Sequence, residues 1–170
     1  FHAYKQSGKM GLRGSTTAEL TFQDSPIPES NRLGEESKGF RYAMEILDSS
    51  RIIIAAQALG IAQASLESAV KYAQQRRSFG QPLVEHQGIQ FMLADMATDI
   101  YASRVATMNA ATLKDNNLPF INEASMAKLM ASETAVRASS TALQIHGGYG
   151  YFKDVPVERY FRDARVTTIY

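Results

Sequence analysis

The sequence predicts a mainly α protein: an up-down four-helix bundle, incomplete by one member, preceded by the last strands of a β domain. Three observations carry this. From Gly39 onward, apolar residues recur at steps of three and four almost without interruption, the period of helices with one buried face. Gly80 with Pro82, and then Asn116-Asn117-Leu118-Pro119, divide that run with the stop-and-start chemistry of Gly, Asn and Pro. Before Gly39 the chain is rich in Gly, Ser, Thr and Pro, and its clearest periodic stretch alternates with period two. Residues 1–37 are therefore assigned to the end of a β domain and 38–170 to the helical domain.

In the N-terminal part, Ala18-Glu19-Leu20-Thr21-Phe22 places Leu20 and Phe22 on one face and Glu19 and Thr21 on the other, a half-buried strand. Pro26 and Pro28 end it, because neither donates to a ladder. The first helical stretch, residues 40–48, carries Phe40, Met44 and Leu47. A second, about 50–76, runs through Ile52, Ala55, Leu59, Ala62, Leu66, Val70 and Ala73. Between them, Asp48-Ser49-Ser50-Arg51 reads as a helix junction with Ser or Asp as N-cap. A third helix is expected over about 82–114, a fourth over about 119–145 with Gly147-Gly148 as its C-cap, and a short one around Pro156–Arg162. Helices of about 25 residues are roughly 37 Å long, and short connections make them antiparallel neighbours. With one bundle member lacking, apolar surface should remain exposed.

Composition sets limits on function. The chain is 45% hydrophobic and 21% charged, with a formal net charge of +1, so neither nucleic acid nor an anionic membrane is the expected partner. It has no Cys, which excludes disulfides, thiol nucleophiles and thiolate metal sites. No run of 18 apolar residues suggests a membrane span. None of His2, His86 and His146 follows a Glu by three positions, so a bundle di-iron site is not expected, and no metal ligand is assigned. Phosphate-binding Gly-Lys-Ser/Thr loops, dinucleotide fingerprints and Gly-x-Ser-x-Gly elbows are also lacking.

Three segments carry possible chemistry. Arg76-Arg77-Ser78-Phe79-Gly80 reads locally as a helix end with cations against the dipole and Gly as a left-handed cap. Its guanidinium fork, hydroxyl and exposed amides also suit a pyrophosphate. Gln144-Ile145-His146-Gly147-Gly148-Tyr149-Gly150 reads as a cap and flexible turn, yet its glycines let a ligand touch main chain and Gln144 offers both donor and acceptor. Asp48–Arg51 is the third.

In this order and spacing, these segments resemble the acyl-CoA dehydrogenase family, and its short-chain branch most closely. The resemblance rests also on Met10–Ser15 (MGLRGS), Arg51–Gln63 (RIIIAAQALGIAQ), Arg76–Leu83 (RRSFGQPL), Leu93–Met96 and Arg162–Arg165. It implies a homotetramer or dimer with FAD shared between subunits. Arg76, Ser78, Phe79, Gln87, Gln144, Ile145, His146, Gly147 and Gly148 match residues that hold a neighbouring subunit's FAD. Asp48, Ser49, Ser50 and Arg51 match acyl-CoA contacts. The implied reaction is α,β-dehydrogenation of a short- to medium-chain acyl-CoA: a carboxylate takes the α-proton, the β-hydrogen leaves as hydride to the flavin, and electron-transferring flavoprotein accepts the electrons. In the short-chain branch the base follows a Tyr, so a Glu is expected immediately after Tyr170, and none of the 170 residues is assigned as catalytic. In other branches the base occupies the position matched by Ser50, and serine cannot act as one. The chain is thus expected to be a C-terminal fragment, inactive alone, of an enzyme that is cytoplasmic if bacterial and in the mitochondrial matrix if eukaryotic. An acyl-CoA oxidase or other flavoenzyme of the superfamily, or a non-catalytic helical oligomerisation module, would share these local features.

Overall fold

The computed structural model describes residues 1–170 throughout. Two strands, β1 (His2–Gln6) and β2 (Thr17–Thr21), form an antiparallel hairpin with Tyr4 opposite Glu19. The strand expected at Ala18–Phe22 is therefore present one residue earlier, but it is not half-buried. Leu20 is 55% exposed, because alternation marks an apolar face without supplying the surface to cover it, and these residues supply none.

Three long helices follow: α1 (Gly39–Gln75), α2 (Gln87–Asp115) and α3 (Ile121–His146), then the short α4 (Val157–Ala164). The two helices expected before Gly80 are one. Asp48–Arg51 lies inside α1, where its polar groups are satisfied without a break: Ser50 Oγ donates to Leu47 O at 2.8 Å and Arg51 pairs with Asp48 at 2.8 Å. These i, i+3 partners remove the need for a cap. The single helix of 37 residues is about 55 Å long. An 18-residue window of it has mean hydropathy 1.3, which by length and composition alone would cross a membrane. Its Ala-rich face is instead buried in the bundle core.

α1 does not end on a left-handed glycine either. Arg76 turns extended (φ −74°, ψ 129°), and a minimal hairpin follows, β3 (Arg77–Ser78) with β4 (Gln81–Pro82). Phe79 and Gly80 both have positive φ, 51° and 84°, so this is the two-residue turn whose twist suits a hairpin. α2 consequently starts at Gln87, five residues later than Pro82 suggested. At its far end, Asn117 (φ 56°) with the Leu118 N–H to Leu113 O and Asn117 N–H to Lys114 O bonds makes a paired C-terminal cap. Pro119 precedes the N-cap Phe120 of α3, and Gly147 (φ 58°) closes that helix.

The core is a seam of small residues. Ala55, Ala58, Ala62, Ala69 and Ala73 of α1 and Ala124, Ala127, Ala131, Ala135, Ala138 and Ala142 of α3 are buried. Arg51 reaches Ser125 and Tyr72 stacks on His146, the same offset of 74 residues at both places, so α1 and α3 are parallel and in register. α2 runs against both: Asp99 pairs with Arg137 and Ser103 bonds Thr134 at 3.0 Å, one number rising as the other falls. Many apolar side chains, Ile53, Phe91, Tyr101, Met108 and Leu129 among them, remain exposed on the helices, consistent with a bundle lacking a member.

The N-terminal segment is locked onto α4. Arg162 binds both carboxylate oxygens of Glu158 (2.8 and 3.0 Å) and donates to Met10 O at 2.8 Å, while Asp163 accepts from the Leu12 N–H at 2.7 Å. Gly11 lies so close to Arg162 that a Cβ there would overlap its carbonyl and sit 2.7 Å from Asp163 Oδ1. Gly11→Ala should therefore destabilise by about 1–3 kcal/mol, the usual range for forced overpacking; an unfolding midpoint equal to wild type would disprove the lock. The bonds from Arg162 hold the Glu158 carboxyl below its ordinary value. A lowered folded value means that the stabilisation is complete above the unfolded value of about 4.3 and is lost as pH falls through the lowered one. Glu158→Gln should thus lower stability by roughly 0.5–1 kcal/mol at pH 7, and the gap to wild type should close below about pH 4. Thermal melts across that range measure it, and a gap independent of pH would count against the pair.

Candidate functional site

Because α1 and α3 are parallel, their C-terminal ends emerge side by side. Between them is a cleft of about 440 Å³. Arg76 and Ser78 enter from the end of α1 and its hairpin, and Ile145, His146, Gly147 and Gly148 from the end of α3. Six of the nine residues expected to hold a cofactor are thus brought together from segments about 70 positions apart in sequence. The other three lie outside the lining: Phe79 is 96% exposed at the hairpin tip, and Gln87 and Gln144 are exposed at the helix ends.

The electrostatics of this cleft rest on Arg76. It enters no ion pair with a carboxylate, and its guanidinium sits 5.7 Å from the centre of the Tyr149 ring. That contact holds a cation without neutralising it. The end of α3 is fixed by His146, which is buried, stacks on Tyr72 at 4.3 Å and donates from Nδ1 to Ala142 O at 2.8 Å. Outside the lining His86 braces the hairpin, donating from Nε2 to Ser78 O (3.2 Å) and accepting from Gln81 at Nδ1 (3.3 Å). Gly147 and Gly148 leave open space where a side chain would project, so a ligand can approach main chain there.

Cation, hydroxyl and bare backbone together fit a diphosphate, and Tyr72, Tyr149 and Phe152 supply flat apolar walls. None of these aromatics, nor Leu83, is assigned to the site from sequence, although Tyr149 and Leu83 lie within the segments named there. Two of them carry a signal in hindsight: Tyr72 is one helical turn before Arg76, and Tyr149 interrupts the glycines of the turn. No three His, Asp or Glu side chains converge as a metal site.

The second expected group is far away. From Arg51 to Arg76 along α1 is roughly 37 Å at 1.5 Å per residue. At that distant end Asp48, Ser49, Ser50 and Arg51 are partly buried. Arg51 is shared between Asp48 and Ser125 Oγ (3.1 Å), tying α1 to α3, and the Ser50 hydroxyl is spent on Leu47 O. Two turns beyond Ser50 on the same helix face, Gln57 accepts a hydrogen bond from the Tyr170 hydroxyl, and burial pushes that phenol above its ordinary value.

Comparison with known proteins shows the family. Residues 37–170 match the acyl-CoA dehydrogenase C-terminal domain family. The short-chain specific acyl-CoA dehydrogenase of Rattus norvegicus mitochondria is 56% identical over 166 residues, 98% of this chain and 40% of its own. Acryloyl-CoA reductase (NADH) of Anaerotignum propionicum is 51% identical over 170 residues, 43% of its own length. The solved structure of butyryl-CoA dehydrogenase from Megasphaera elsdenii superimposes with a TM-score of 0.97 at 50% identity, covering 99% of this chain and 44% of that one. The chain thus spans about two fifths of the length of the curated relatives it matches. With its helical domain, its paired helix ends and its sequence all in agreement, the chain belongs to the acyl-CoA dehydrogenase family.

Proposed function

We propose that this chain is the FAD-holding and substrate-lining helical portion of an acyl-CoA dehydrogenase acting on short- to medium-chain acyl-CoA. The observation that carries the reading is the cleft in which Arg76 and Ser78 meet Ile145–Gly148. Its residues fit the diphosphate of FAD: the guanidinium and Ser78 hydroxyl would donate to phosphate oxygens, and the glycines would admit the chain of the cofactor. FAD, when bound, accepts the β-hydrogen of the acyl group as hydride. This cleft and Asp48–Arg51 lie roughly 37 Å apart along α1, a separation that supports a homo-oligomer in which the cofactor held at Arg76 serves the catalytic centre of another subunit. Asp48–Arg51 lines the acyl-CoA passage, with Arg51 holding the walls together through Ser125. The base is the residue that follows Tyr170, expected to be Glu; electron-transferring flavoprotein takes the electrons.

One relative favours a second reading in the opposite direction. The match to acryloyl-CoA reductase covers the whole chain, and the same residues would serve when an enoyl-CoA gains the proton and hydride. Oxidation of butyryl-CoA with electron-transferring flavoprotein, set against NADH-dependent reduction of acryloyl-CoA, separates the two.

Two outcomes test the proposal in the full-length protein. Arg76→Ala should weaken FAD binding by about 10- to 100-fold, since charge-assisted bonds contribute ~1.5–3 kcal/mol, while the bundle stays folded. Unchanged affinity in a titration of the apoprotein would leave Arg76 as a helix terminator only. Replacing the residue after Tyr170 by an amide should slow dehydrogenation by ~10²–10⁴ or more. Rapid-mixing assays of flavin reduction measure this, and a fully active variant would remove that residue from the mechanism.

A further inference from the structure

The segment that leads to the proposed base is a short turn after α4. In Arg165–Thr168, Thr167 is buried and its hydroxyl donates to Ala164 O at 2.7 Å. The Ile169 and Tyr170 N–H groups both donate to Val166 O (2.9 and 3.2 Å). The Arg165 and Thr168 side chains bond within the turn itself. The one side-chain hydrogen bond from this segment to α1 is that of Tyr170 to the Gln57 amide oxygen. Gln57 is half-buried on α1 and shares a face with Ser50, seven residues and about 10 Å earlier.

We propose that Gln57 is a positioning residue: by accepting the Tyr170 hydrogen bond, it fixes the main chain from which the following residue, the base, reaches the substrate. This rests on the functional reading above. The physical reason is leverage. A group one residue beyond Tyr170 moves with the Tyr170 main chain, and proton abstraction is sensitive to misplacements of about 1 Å, which cost up to ~100-fold in rate. A neutral amide suits the task, since it accepts the phenolic O–H without placing a charge beside a carboxylate whose protonation state matters. An ordinary phenol is protonated at neutral pH, and hence a donor.

The test uses the full-length, FAD-loaded protein with Gln57→Leu and Tyr170→Phe, singly and together. Each removes the bond and keeps most of the side-chain volume. Expected for each is a fall in kcat of about 10- to 100-fold with KM within about twofold. The isotope effect on α-deuterated acyl-CoA should rise, and the double variant should be no slower than the slower single one. A loss carried by KM alone, an unchanged isotope effect, or a double variant slowed by the product of the two single losses would overturn the assignment. A purely structural role would lower the unfolding midpoint and flavin content without raising the isotope effect. Should one variant fail to retain flavin, the isotope effect of the other decides. A wild type that binds flavin yet turns over no acyl-CoA would remove the functional reading itself, and this positioning role with it.

Discussion

The rest of the structure depends on the close, in-register approach of two parallel helices, α1 and α3. Parallel neighbours are unusual products of short connections, which favour antiparallel pairs. Here α2 runs back between them in sequence, so the first and third helices can align. Small side chains let them come close along the whole shared length, from Arg51 against Ser125 to Tyr72 against His146. Bulky residues in that seam would splay the pair, and both functional ends would open together. The buried hydroxyls fit the same constraint, because Ser65 and Thr107 bond to their own helix carbonyls and Ser103 to Thr134, leaving no polar atom unpaired in the seam.

That arrangement has an electrostatic consequence. Two helix C-termini side by side bring two negative dipole ends to one place, a poor start for binding an anion. Arg76 is therefore more than a helix-terminal cation. Placed at the C-cap of α1 and unpaired with any carboxylate, it reverses the local sign and leaves its donors available. The hairpin that follows serves the same end. Had α1 stopped on a left-handed glycine, as its sequence suggests, the chain would have turned away at once. The extended Arg76 instead leads Ser78 to the cleft, and the Phe79-Gly80 turn brings Leu83 back to it, with His86 bracing the Ser78 carbonyl.

The legible and illegible parts of the fold differ for physical reasons. Long helices announce themselves by periodicity, and their number after Gly80 and their approximate ends follow from it. Asp48–Arg51 was misleading because the residues that cap helices also satisfy themselves within one, and only the partners reveal which occurs: Leu47 O for Ser50, Asp48 for Arg51. The hairpin at Arg77–Pro82 has strands of two residues, too short for any period, and a positive φ at Phe79 that sequence would assign to Gly or Asn. Among site residues, those in Gly- and Arg-rich turns stand out on chemical grounds. The aromatic walls Tyr72 and Phe152 do not: Tyr72, at helical spacing, is indistinguishable from core until the partner element is in place, and Phe152 lies in an extended stretch without periodicity.

The distance along α1 joins these strands of argument. One rigid helix carries the proposed cofactor cleft at its C-terminal end and the proposed substrate-lining residues near its N-terminal third, roughly 37 Å apart. Either the cleft is irrelevant to the chemistry, or, as proposed above, a second copy completes the site. The first alternative leaves unexplained an unneutralised arginine, two open glycines and a stacked histidine converging on one space from separate segments. Under the second, the length of α1 acts as a ruler between the cofactor that a chain lends and the catalytic centre that it keeps. The uncovered apolar helix faces are then the surfaces on which such an assembly would be built. Shortening α1 by a turn between Arg51 and Tyr72 would leave both ends chemically intact and bring them about 5 Å closer. It would also break the constant register with α3, so the ruler and the alanine seam are one constraint.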